Sequence, residues 1–80
     1  MKRIPRNISG QELIKVLQVL GYNITRQVGS HIRLSTLEKG EHHLTIPNHN
    51  PIRVGTLSNI LNEIASHFQI SKEELIEKIF

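Results

Sequence analysis

Residues 29–47 read GSHIRLSTLEKGEHHLTIP, and this stretch decides the fold. His31, Ile32, Arg33, Leu34 and Ser35 alternate polar with apolar, the period of a strand that lays one face on a core. Glu38-Lys39-Gly40-Glu41 follows with turn chemistry, its glycine suited to the positive φ of a hairpin. His42 to Ile46 then forms a second strand with Leu44 and Ile46 inward, so His43 and Thr45 share the outer face with His31, Arg33 and Ser35. Upstream the period is again two. Tyr22, Ile24 and Val28 share a face with Arg26, Asn23, Thr25 and Gln27 lie opposite, and Gly29-Ser30 separates this strand from the next. Three consecutive strands with short connections predict an antiparallel meander.

Helical spacing flanks the strands on both sides. Ser9 and Glu12 form a capping box, Leu13, Ile14, Val16, Leu17 and Leu20 follow at helical intervals, and Gly21 suits a left-handed cap, which predicts a helix over about 10–20. Pro47-Asn48-His49-Asn50-Pro51 reads as a loop that ends the sheet. Beyond it, Thr56 is the predicted N-cap of a helix running to about His67, with Leu57, Ile60, Leu61, Ile64 and Phe68 on its core side. Ser71 and Glu74 make a second capping box, opening a short last helix that carries Leu75, Ile76 and Ile79. The predicted fold is therefore α+β, in the order α-β-β-β-α-α, with helices on one face of a three-stranded antiparallel sheet and the other face open.

Eighty residues allow one domain over 1–80, with a core at about 9–75 and a basic extension at 1–8. Hydrophobic residues at 38% and charged residues at 21% place the chain outside the low-hydrophobicity, high-charge composition that stays disordered. With no cysteine, a disulfide framework and a Cys-based zinc site are both excluded, and a reducing cytoplasm is the expected compartment. No apolar run has the length of a membrane span, and the N-terminal charges are not followed by the apolar stretch of a signal peptide. Residues 1–55 carry a balance of +5 and residues 56–80 a balance of −2, so the basic part faces polyanions such as nucleic acid.

Five histidines are many for this length, and His31, His42, His43 and His49 fall in or just after the sheet. A metal site is not expected, because no pair has the i, i+4 spacing of H-E-x-x-H, no Cys or Asp completes a set, and His42 and His43 alternate to opposite faces. His42, His43 and His67 read as ordinary polar surface. His31 stands apart, since Gly29 and Ser30 before it let a phosphate or another backbone come close and Arg33 lies two residues on. There is no phosphate-cradling glycine motif, and with only Tyr22, Phe68 and Phe80 as aromatics the open face has no platform for stacking bases. Phosphate contact plus histidine chemistry is the remaining option.

In order and spacing, Gly29-Ser30-His31, then Leu44-Thr45-Ile46-Pro47 leading to His49, then Gly55-Thr56-Leu57 with Ile60-Leu61, resemble the HicA, or YcfA-like, toxins of bacterial toxin–antitoxin systems. The resemblance spans about residues 9–75. It implies a double-stranded-RNA-binding-domain-like fold, an mRNA interferase activity, a catalytic histidine at His31, and a HicB-type antitoxin that covers the site. Met1 to Ile8 is an addition to the usual family start, and residues 48–53 differ from the more usual Gly- and Lys-containing loop.

RNA carries its own nucleophile in the 2′-hydroxyl, so an enzyme need only move protons and steady charge on the phosphorane. That makes His31 the candidate general acid/base and Arg33 the candidate phosphate clamp, with Gly29, Ser30 and His49 as further RNA contacts and neither metal nor cofactor required. The expected partners are mRNA and the antitoxin. The competing reading is a non-catalytic binder of duplex RNA, which usually presents a lysine cluster at the start of the second helix, where this chain has Arg53-Val54-Gly55-Thr56. A third is an inactive toxin-like subunit retained for its antitoxin contact.

Overall fold

The structure is a computed structural model and describes residues 4–80. Its elements are α1 (Gly10–Leu17) continued by one 3₁₀ turn (Gln18–Leu20), β1 (Asn23–Val28), β2 (His31–Thr36), β3 (His42–Pro47), α2 (Val54–Phe68) and α3 (Lys72–Ile79). This is the predicted α+β order, and the sheet is antiparallel with β2 between β1 and β3. No helix among the described residues is long and apolar enough to cross a membrane.

Ser9 and Glu12 close the capping box at α1, with Glu12 N–H donating to Ser9 Oγ at 3.1 Å and Ser9 N–H to Glu12 Oε1 at 3.0 Å. These bonds hold the Glu12 carboxyl below its ordinary range. Leu13, Ile14, Leu17 and Leu20 point into the core, and Gly21 ends the turn at φ 81°. Across the core, Ile32 and Leu34 of β2 meet Leu44 and Ile46 of β3, with Leu57, Leu61 and Ile64 of α2 and Leu75 of α3 beneath them. Thr36 is buried but satisfied: its hydroxyl donates to the Leu20 carbonyl at 2.9 Å and accepts from Glu38 N–H at 3.1 Å.

Two local expectations are corrected. The first concerns β1, where the alternation of two is broken by a bulge. Ile24 lies opposite Leu34, but Arg26, not Thr25, lies opposite Arg33, and Val28 lies opposite His31. One extra residue re-phases the strand, so Ile24 stays on the helix side while Arg26 and Val28 move to the open face. All six residues of β1 are exposed, because it is the edge strand away from the helices, which pack against β3 at the opposite edge. Tyr22, just before the strand, is the residue that reaches the core.

The second concerns the start of α2. Arg53, not Thr56, is the N-cap, and the first helical bond runs from Leu57 N–H to the Arg53 carbonyl at 2.9 Å. Ile52 explains the shift, being buried in the core with its N–H donating to the Ile8 carbonyl at 2.8 Å, so the chain can turn into helix immediately after it. Thr56 thus sits in the first turn, and the cap residue makes no side-chain bond to the exposed helix N–H groups.

Of the basic N-terminal segment, Lys2 and Arg3 lie outside the described residues. Arg6 is exposed, Ile8 is buried and Ile4 packs against the core.

Candidate functional site

Gly29 and Ser30 form the two-residue turn between β1 and β2, with Gly29 at φ 59° in the position such hairpins reserve for glycine. A Cβ on Gly29 would meet nothing within 4 Å, so the turn is held by backbone conformation and its outer side is open to a ligand. His31 follows at once on the open face. It is exposed, and its ring has no hydrogen-bond partner among the described residues.

His31 lies opposite Pro47 on β3, and the ladder is prolonged by Asn48 N–H donating to the Ser30 carbonyl at 2.7 Å. Beyond Pro47 the chain is tied down at several points. Gly10 N–H donates to the His49 carbonyl at 2.9 Å, and Gln11 Nε2 to Asn48 Oδ1 at 3.3 Å. Gly10 has to be glycine here, since a Cβ would stand 2.4 Å from the Pro47 carbonyl oxygen. The result is a cleft lined by His31, Thr45, Pro47, His49, Arg53 and Thr56. No carboxylate lines it, and the uncapped start of α2 gives it partial positive charge besides Arg53.

Two residues along β2 from His31, Arg33 lies on the same face directly opposite Arg26. Neither guanidinium has a carboxylate partner among the described residues. Like charges directly opposite on paired strands are destabilising, and an anion bridging them relieves the repulsion. A second and larger concavity, about 820 Å³ against about 480 Å³ for the histidine cleft, opens here, lined by Thr25, Arg26, Arg33, Ser35, Glu41 and His43 among others. In it His43 is held from both sides, by Ser35 Oγ at Nδ1 and by Glu41 Oε2 at Nε2, 2.7 Å away.

The other histidines are more engaged than ordinary surface groups. His42 Nδ1 lies 2.7 Å from the Tyr22 hydroxyl, and its ring stacks on His67 with centroids 4.5 Å apart. Burial, then the neighbouring His67, lowers the pKa of His42, while burial pushes the Tyr22 hydroxyl up to about 12. No group of three or more metal-ligating side chains is found among the described residues.

Gly29, Ser30, His31 and His49 therefore gather at one end of the open face, with Arg33 beside them along β2. Arg26 and Arg53 are additions the residue pattern missed. For Arg53 the available signal is Pro51, two residues upstream of where the helix cap falls. For Arg26 there is none, because the bulge depends on the partner strand.

Fold and site define a small α+β protein that presents histidine and arginine on an open sheet face, with no acid in its histidine cleft. The family model described as the HicA toxin of bacterial toxin-antitoxin matches residues 10–65, and the chain belongs to this family. It is thus the toxin component of a toxin–antitoxin system, and an antitoxin partner is implied. The match includes both histidines of the cleft and ends within α2, so α3 lies outside it. No curated protein and no solved structure matches the chain.

Proposed function

We propose that this toxin is an mRNA interferase, an endoribonuclease of the cytoplasm in which His31 acts as general acid/base without a metal. The observation that carries the proposal is the exposed His31 ring, unengaged by any described residue, lining an acid-free cleft two residues from Arg33, which has no carboxylate partner among the described residues. An imidazole can give or take a proton at neutral pH, which suits transfer to or from an RNA oxygen. Arg33 and Arg26 clamp phosphate oxygens, and the exposed turn at Gly29-Ser30 lets the RNA backbone come close. His49 contacts RNA from the facing side of the cleft. A HicB-type antitoxin with an acidic surface would silence the enzyme by covering His31 and the two arginines.

The test compares purified wild type and His31→Ala on mRNA, with and without EDTA. Wild type is expected to cut with EDTA present, and His31→Ala to keep its fold but lose cleavage and toxicity. Equal cleavage by both removes His31 from catalysis. RNA binding by wild type without cleavage leaves a non-catalytic binder, and loss of cleavage on chelation, restored by a divalent ion, revives a metal mechanism.

A further inference from the structure

We infer that His49 is the second proton carrier, working with His31 on the same phosphodiester. The inference rests on the ribonuclease proposal and adds the group that a single histidine leaves missing. In-line displacement at phosphorus puts the attacking and leaving oxygens on opposite sides, so two proton transfers are best served by two groups flanking the phosphate.

The sheet supplies that arrangement. Pro47 stands directly opposite His31, and the next residue, Asn48, is still bonded to Ser30 across the ladder. His49, two positions beyond Pro47, lies past the last paired residue of β3, in the loop that follows the Asn48–Ser30 bond. Both histidines line the same cleft. His49 is exposed, yet its backbone is fixed by the Gly10 bond to its carbonyl, with Asn48 bonded on one side and the buried Ile52 anchored on the other.

The charged surroundings suit the reaction. From α2 the cleft receives Arg53, along β2 the nearest charge is Arg33, and no acid lines the cleft to lock either ring. Arg53, which lines the cleft beside both histidines, is the cation available to steady charge on a phosphorane bound there.

One imidazole, neutral, takes the 2′-hydroxyl proton while the 2′-oxygen bonds to phosphorus. The other, protonated, gives its proton to the 5′-oxygen as the P–O5′ bond breaks. The products are a 2′,3′-cyclic phosphate and a 5′-hydroxyl, and the two histidines have exchanged protonation states. Hydrolysis of the cyclic phosphate by water runs the same transfers in reverse and restores them.

The experiment uses the full chain on a defined RNA oligonucleotide, reading product ends and the pH dependence of kcat. Wild type is expected to give cyclic-phosphate and 5′-hydroxyl ends with a bell-shaped profile. His31→Ala and His49→Ala should each lose one limb of the bell and about 10²–10⁴-fold in kcat, with His49→Gln as weak as His49→Ala. A substrate whose 5′-bridging oxygen is replaced by sulfur leaves as a thiolate needing no proton, and should restore the rate of whichever variant lacks the acid. Urea midpoints equal to wild type show that the variants fold. If His49→Ala keeps the bell and a kcat within a few fold, or raises only KM, His49 is a phosphate contact and the pair is overturned while the ribonuclease stands. Failure of the sulfur substrate to rescue either variant also overturns the pair. If wild type cuts no RNA, the ribonuclease proposal falls and the pair with it.

Discussion

Adding a single methyl group at Gly10 should cost this fold more than it gains, and the same change at Gly55 should do the opposite. Both glycines sit in the first turn of a helix, Gly10 in α1 and Gly55 in α2. A Cβ at Gly10 would lie 2.4 Å from the Pro47 carbonyl oxygen, 3.1 Å from Asn48 Cα and 3.3 Å from the Pro47 carbonyl carbon. These are backbone atoms at the end of β3, so no side chain can swing away. Forcing them apart is overpacking, worth about 1–3 kcal/mol, and it strains the Gly10–His49 bond, whose loss adds about 0.5–1.5 kcal/mol. Against this, alanine recovers at most ~1 kcal/mol of backbone entropy. Gly10→Ala should therefore be destabilised by about 1–3 kcal/mol net, or roughly 5–20 °C in Tm for a chain of this size. At Gly55 nothing lies within 4 Å of the new Cβ, so Gly55→Ala should gain up to ~1 kcal/mol. Thermal and urea unfolding of the two variants measure both signs. A Gly10→Ala protein as stable as wild type would mean that the segment holding His49 does not press on α1, which would refute the account of how that histidine is placed.

Two further predictions follow from charge. Reversal of Arg33 to Glu should weaken both RNA cleavage and antitoxin binding, whereas Lys78→Glu, on the exposed side of α3, should change neither; an affinity for the antitoxin lost in Lys78→Glu but kept in Arg33→Glu would place the inhibitory surface elsewhere. Stability should also fall at both ends of the pH scale. Unfolded Tyr22 loses its proton near pH ~10 while the folded hydroxyl holds it to about 12, so stability declines as pH rises through that interval, and Tyr22→Phe should flatten the decline. His42 has the opposite sign: the unfolded ring takes a proton near pH ~6.5 and the folded one resists, so stability is lost as pH falls below that value and His42→Gln should reduce the loss. Urea midpoints measured across the pH range test both, and slopes unchanged in the variants would contradict them.

Much of the framework was legible in the order of residues because its causes are local. The Ser9–Glu12 box, the alternation of β2 and β3, the Gly40 turn and the Leu57–Ile64 stripe each depend on neighbours within a few positions, and each stands as read. His31 on the open face follows from that alternation alone. What the tertiary structure decided are features whose causes lie far along the chain. The bulge at Thr25 exists only against β2, and by inserting one unpaired residue it carries Arg26 across to face Arg33. The start of α2 moved to Arg53 because Ile52 is drawn into the core and bonded to Ile8. His42 and His67 stack through the packing of a strand edge against a helix end. His31 and His49 share a cleft because antiparallel pairing and the Gly10 contact bring two remote segments together. Periodicity reports which side of an element a residue occupies, but it carries no information about which residue of another element stands opposite, and the chemistry of this site depends on that pairing.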